Sequence, residues 1–424
     1  MSNAFKNTSK VANRLLLILK NQLVVAKMAD SRFSSDFGGN DGNVPIGDTI
    51  TIRRPPMFNA SDGASFVAQD VVVGSTSLQI AKQKHVGMTL TDFERILKYD
   101  GDSFLKDAVA NAKMSALSQQ VDTDVGATIL NFPGFVGTAG NKISTIAGFN
   151  AMPNRLDNRA VPNSDRLAIL SPDDWWALAG AFTGTIPYDN SINQNALQKA
   201  KLPMIGNVDC YMSQSLPYVT NGTRTNGTVA GANQSVDYST AKDTYTQTLN
   251  LAGLGAAGTI AAGEQFTIAN VYAVNPRTQV KLGYLQQFTV TALATADGSG
   301  NATVTICPPI IANTNSGSAQ LTNQAFQTVD SVPANSAVVT FVGSASTTYT
   351  QNACYHKSAL ALAWVRPAKP HTGEYSYAED PDTGISLRLW AFSDGTQDTH
   401  SYRADIAYGV KNVDPRLGVR GNGA

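Results

Sequence analysis

Four histidines, three cysteines and adjacent pairs of aspartate, tryptophan and arginine are the residues of this chain whose types suit chemistry. Metal binding needs His, Cys or acids at short spacings, so that one turn or helix face presents several ligands. His85, His356, His371 and His400 do not pair at helical spacing, and none is in ligand register with a cysteine or acid. Each is expected to be a surface or hydrogen-bonded imidazole. Cys210, Cys307 and Cys354 are odd in number and widely spaced, with no CxxC, so the expectation is free, semi-buried thiols in a reducing compartment rather than a disulfide framework. Nucleophile elbows, phosphate loops and dinucleotide fingerprints are missing, and the Gly/Ala-rich Leu251 to Gly263 lacks the following acid. Asp173-Asp174 follows Ser171-Pro172, which makes the acids first-turn charges of a helix rather than a catalytic dyad. Trp175-Trp176 reads as core packing before it reads as a ligand platform. Arg53-Arg54 is too small a cluster for nucleic acid, which leaves a subunit contact. No catalytic, cofactor-binding or metal residue is assigned.

Composition points the same way. The chain has 424 residues, 42% hydrophobic and 15% charged, with a formal net charge of +0. A charged share well below the usual ~25% suits a protein packed against copies of itself. Charge balance argues against a basic, phosphate-tracking binder. The apolar run Leu15 to Leu19 is too short for a secretory signal, and nothing approaches the ~20 apolar residues of a membrane span. The strongest anomaly lies inside the chain. Residues 221–345 contain nine groups charged at neutral pH: Arg224, Asp237, Lys242, Asp243, Glu264, Arg277, Lys281, Asp297 and Asp330. Thr, Asn, Ser and Gly separate short apolar runs there, as expected of a β module inserted into a different fold.

The periodicities place elements around that insert. Ser9 to Lys27 reads as an amphipathic helix through Val11, Leu15, Ile18, Leu19, Gln22 and Val25. Ser34 to Gly47 reads as a flexible loop. Asp48 to Arg53 and Ser77 to Lys82 alternate and are joined by the irregular tip Phe58 to Gly74, an extended hairpin with too little apolar surface to fold alone. Thr91 and Glu94 make a capping box before a short helix. A longer helix starts at Asp102 or Ser103 and runs through Phe104, Leu105, Ala108, Val109, Ala112, Ala116, Leu117, Val121 and Val125, with Lys106, Asn111, Lys113, Ser118, Asp122 and Asp124 opposite. Leu167 to Leu170 is a buried strand, and Asn195 to Ala200 is read as another short helix. In the insert, Glu264 to Ala269, Val271 to Val274, Gln287 to Thr291, Ala302 to Ile306 and Val338 to Val342 read as strands of a small barrel or sandwich. Ala359 to Val365, Ile385 to Trp390 and Tyr402 to Tyr408 follow as strands, before a Gly-rich tail from Pro415 to Ala424.

Several of these segments carry a resemblance in their order and spacing. They are Gly47-Asp-Thr-Ile-Thr-Ile-Arg-Arg-Pro55, Gln83-Lys-His-Val86 with Leu90-Thr-Asp-Phe93, and Gly263 through Pro276 followed by Leu285-Gln-Gln-Phe288. Tyr355 to Leu362 and Asp405-Ile-Ala-Tyr-Gly-Val410 complete the set. Together they resemble the major coat proteins of short-tailed, Salmonella-type (P22-like) phages, over nearly the whole chain. The resemblance implies an α+β, tailed-phage major capsid fold (the Hong Kong ninety-seven fold) with an inserted all-β barrel.

On that template the expected divisions are an N-terminal arm (1–47), the extended E-loop hairpin (48–82) and a peripheral domain with spine helix (83–135). The axial domain (136–220 and 346–395) is interrupted by the barrel (221–345), and 396–424 returns to the peripheral domain and ends in the tail. The resemblance implies a major capsid protein, not an enzyme and without cofactors. It implies hexamers and pentamers in an icosahedral virion shell, assembled in the host bacterial cytoplasm with a scaffolding protein. A portal protein would occupy one vertex, and double-stranded DNA would be contacted non-specifically, with no membrane. In relatives a charged loop of the insert reaches neighbouring capsomers. The matching segment here is Ser235 to Tyr245, so Asp237, Lys242 and Asp243 join Arg53, Arg54 and Asp62 as subunit-contact candidates. That loop is poorer in charge than its counterparts, which favours polar hydrogen-bonded contacts. The alternatives are a cellular nanocompartment shell or a β-rich surface binding protein such as an adhesin.

Overall fold

The computed structural model describes residues 5–37, 47–60, 64, 66, 68–91, 110–185, 204–313, 318–396 and 399–423. The short helix expected after Thr91, the start of the long helix at Asp102 or Ser103, the Asn195 to Ala200 helix, most of the Ser34 to Gly47 loop and Asp62 lie outside the described residues. The chain divides into two compact units: Met1–Thr51, Ser77–Gly126 and Leu360–Lys411 form one, and Ile52–Thr76, Ala127–Ala359 and Asn412–Ala424 the other.

In the first unit, the helix Phe5–Gln22 buries Ala12, Leu15, Leu16 and Leu19, a stripe at three- and four-residue spacing, with Leu23 buried just beyond its end. It ends at Gln22 rather than Lys27, and a 3-10 turn takes over at Ala26–Met28. The cause lies in the long helix. Asp122 Oδ2 and Oδ1 accept the Val24 and Ala26 N–H groups at 2.9 Å each, bonds that a continuing helix would have consumed internally. Asp122 is therefore buried, not on the polar side where periodicity put it, and Ser118 is buried with it. The described part of that helix, Ala110–Ile129, turns Met114, Leu117, Val121, Val125 and Ile129 inward, while Ala112 and Ala116 stay exposed.

The sheet of this unit has the order Leu360–Val365, Thr399–Asn412, Ser386–Asp394, Glu374–Glu379, and Lys82–Thr91 also pairs with Thr399–Asn412, antiparallel from Thr91↔Thr399 to Lys82↔Tyr408. Leu360, Ala361, Leu362, Ala363 and Trp364 are all buried, as a continuous apolar run requires.

The second unit is built on a mixed six-stranded sheet. Its main path runs Gly134–Val136, Gly418–Asn422, Thr348–His356, Arg166–Leu170, Asp209–Met212, and Tyr218–Thr220 pairs with the near end of Thr348–His356. The Gly-rich tail is thus an interior strand, buried along all five residues. Its glycines are required by close approach: a Cβ on Gly418 would lie 2.4 Å from the Phe132 ring, and one on Gly421 2.9 Å from Met152 Sδ.

The insert leaves and re-enters through one edge. Thr220 is the register partner of Thr348, and Asn221 N–H donates to the Thr347 carbonyl at 3.0 Å, so the chain departs and returns at adjacent points. Between them lies a closed barrel in the order Gln265–Val274, Lys281–Val290, Ala302–Cys307, Gln247–Ala252, Gly227–Val229, Val338–Phe341. Phe266 packs against Phe288 and Phe341 at ring distances of 5.5 and 5.3 Å, surrounded by Leu249, Leu251, Val304 and Ile306. Closure forces alternation of inward and outward side chains along each strand. Glu264 to Ala269 and Val271 to Val274 form one strand with register shifts after Thr267 and Tyr272 rather than two separate ones. The expected strands did not include Gly227–Val229 or Gln247–Ala252. The second did carry a signal: Gln247, Leu249 and Leu251 alternate inward.

Candidate assembly interface

Most charges of the barrel domain are consumed within their own chain. Arg224 Nε donates to Glu264 at 2.7 Å, with both side chains almost wholly buried. Glu264 also accepts the Gly222 and Ala261 N–H groups, each at 2.7 Å. Lys281 meets Asp330 at 3.1 Å and lies over the Tyr272 ring. Burial would raise the Asp330 carboxyl, but the Tyr272 N–H and Lys281 outweigh it and hold it below its ordinary value. Asp297 closes its turn by accepting the Asn301 and Ser299 N–H groups, which lower its pKa. The side chains of Lys242 and Arg277 make no hydrogen bond or ion pair among the described residues.

The candidate contacts fall into two groups. Arg54 is 4% exposed, and its guanidinium donates to the Val413 carbonyl at 3.0 Å and the Lys242 carbonyl at 2.9 Å. Asp243 accepts both the N–H and the hydroxyl of Ser75, at 2.9 and 3.0 Å, and those bonds hold its carboxyl below the ordinary value. Asp237 precedes the short helix Tyr238–Ala241 and accepts Asn323 Nδ2 at 2.7 Å. These three tie the arm and the loop to their own chain, at the barrel domain and, through Val413, at the C-terminal segment. Tyr238 stacks on Phe326 at 3.5 Å, and Met57 and Val72 of the arm pack against that pair. Arg53 is exposed and Lys242 partly so. The arm also exposes apolar side chains: Phe58 is 56%, Phe66 92% and Val71 67% exposed.

Several of the residues first considered for chemistry are engaged in local packing and hydrogen bonds. Ser171 caps the helix Pro172–Thr185 by accepting the Asp174 N–H at 3.2 Å. Asp174 goes further than a helix-end charge, because it is fully buried and accepts from Ile143 N–H, Ser171 Oγ and Asn352 Nδ2 at 2.7 Å each. Of the tryptophan pair only Trp175 joins the core, and Trp176 is 62% exposed. His356 bonds Ser358 and His400 bonds Ser393, both at 2.7 Å. The three cysteines are free, and burial pushes the Cys210 and Cys307 thiols up to about 12 and Cys354 higher still. Among the described residues no group of His, Cys, Asp or Glu is arranged to hold a metal, and no helix is long and apolar enough to cross a membrane.

A family model described as P22 coat protein, gene protein 5, matches residues 2–423, and the chain belongs to that family. It is a major capsid protein with the tailed-phage capsid fold. Among solved structures, one titled Mycobacterium phage Che8 is 11% identical over 94% of this chain and 90% of its own, with a TM-score of 0.48. The mature capsid of bacteriophage PhiM1 is 10% identical over 89% and 82%, with a TM-score of 0.42. A structure titled CUS-3 coat protein I-domain is 28% identical over 28% of this chain and 96% of its own, with a TM-score of 0.21. No curated protein matches the chain.

Proposed function

We propose that this capsid protein builds an icosahedral virion shell from hexamers and pentamers around double-stranded DNA. In this reading it assembles in the bacterial cytoplasm with a scaffolding protein, receives a portal at one vertex, and performs no catalysis. Membership of the coat protein family across residues 2–423 carries the reading. The proposed division of labour keeps the arm at 1–47, the hairpin at 48–82 and the barrel at 221–345. The exposed arm residues, with Arg53 and Lys242, face a neighbouring subunit. Arg54, Asp237 and Asp243 serve one step earlier, by fixing the arm and loop in the shape that is presented. Many modest repeated contacts then make the shell cooperative, through the high effective concentration that each bond creates for the next.

Negative-stain microscopy of the chain coexpressed with its scaffolding protein tests this. Closed spherical shells are expected. Small oligomers alone, under every assembly condition tried, would reject it.

A further inference from the structure

The barrel domain meets the C-terminal segment around two tyrosines, and guanidinium groups gather there out of proportion to carboxylates. Arg54 and Arg416 lie 5.7 and 5.5 Å from the centre of the Tyr245 ring. Arg155 sits over the Tyr284 ring at 3.6 Å. Arg416 is neutralised by Asp414, with Nη2 at 2.7 Å from the carboxylate. The charges of Asp414 and Asp243 both act on Arg54. Arg155 and Arg159 make no ion pair among the described residues. Nη1 of Arg159 reaches only the Gly418 carbonyl, at 3.5 Å. Its Nη2 and the Tyr284 hydroxyl are buried, and neither makes a well-formed hydrogen bond among the described residues, although Tyr284 lies close enough to act on the Arg159 charge.

Beside these groups lies a cavity of about 60 Å³, walled by Arg159, Tyr245, Tyr284, Phe326, Pro276 and Arg416. Unmade hydrogen bonds from a buried guanidinium and a buried hydroxyl are costly. Water could satisfy the hydrogen bonds but would leave the positive charge uncompensated. A small oxyanion supplies both acceptors and charge, and guanidinium groups match its geometry. Burial lowers the Arg159 pKa, the neighbouring Tyr284 raises it in part, and the like charge of Arg155 lowers it again.

We propose that this cavity binds one small tetrahedral oxyanion of the phosphate class, held by Arg159 Nη2 and the Tyr284 hydroxyl. Bound there, it ties the helix Ile146–Asn158 to the barrel strand Lys281–Val290 and to the Arg416 segment. It stabilises the subunit by mass action.

The test titrates inorganic phosphate into the full-length chain at constant pH and ionic strength, with chloride as the balancing ion, and follows it by calorimetry. Saturable binding of one phosphate per chain is expected. Arg159→Gln and Tyr284→Phe should each weaken it by about tenfold or more, the worth of a charge-assisted hydrogen bond. Tyr284→Phe removes a single hydroxyl, so it carries the test if Arg159→Gln does not fold. No saturable binding overturns the proposal. So does an affinity that Tyr284→Phe leaves unchanged, or a salt response of the same size in wild type and variants.

Discussion

Arg224 and Glu264 form a buried ion pair in the barrel domain, with Nε 2.7 Å from the carboxylate and side-chain exposures of 3% and 0%. The guanidinium also lies 4.1 Å from the centre of the Phe341 ring. A pair this deep repays its desolvation only because Glu264 has two further N–H donors. Glu264→Ala strands the guanidinium and two amides, and should cost about 3–5 kcal/mol, read as a lower urea midpoint. Replacing both partners with apolar residues should recover much of that loss. A double variant as unstable as Glu264→Ala would show that the pair itself is needed.

Arg53 and Arg54 separate two roles that adjacent charges share in the sequence. Arg54→Ala leaves the Val413 and Lys242 carbonyls without their donor and should lower subunit stability by about 1–3 kcal/mol. Arg53→Ala, at an exposed position, should leave subunit melting unchanged and reduce the yield of shells. Equal effects of the two on melting would contradict this division.

Asp243→Ala releases the base of the arm from its loop by deleting both bonds to Ser75. Because the group is exposed, subunit melting should barely change. Resistance of assembled shells to heat should fall if the loop shapes a contact between subunits. Unchanged shells after Asp237→Ala and Asp243→Ala would remove both residues from assembly.

Asp414 links stability to pH. Burial alone would raise its pKa, but Arg416 and its N–H outweigh burial and hold it below its ordinary value. A carboxyl whose folded pKa is depressed contributes stability above its unfolded pKa and loses it as pH falls through the folded one. Asp414→Asn should therefore cost about 3 kcal/mol near neutrality, and that cost should shrink below pH ~4. Thermal melts at pH 7 and pH 3 compare the two directly.

Gly418→Ala should destabilise by about 1–3 kcal/mol, because its Cβ would press on the Phe132 ring at 2.4 Å. Gly298→Ala, where a Cβ meets nothing within 4 Å, is the control and should be near neutral. Melting temperatures of the two variants decide it.

Local order in this protein is written in local periodicity. Alternation along Glu264 to Ala269, Ala302 to Ile306 and Tyr402 to Tyr408 sufficed for strands. The Ser171-Pro172 start sufficed for a helix, because capping and pleating are short-range. The charge-poor stretch announced an inserted module, and the order of the motifs announced the coat protein family. What the tertiary structure decided was where polar groups are spent. Asp122 looks solvent-facing by helical period, yet it is buried because a distant segment offers it two free N–H groups. Arg54 looks like a surface charge until two remote carbonyls claim it. The Gly-rich tail looks like a loose end, but Phe132 and Met152 leave room for a strand only where side chains are missing. Each outcome depends on partners more than ninety residues away or on space left by another element, and no local pattern encodes that.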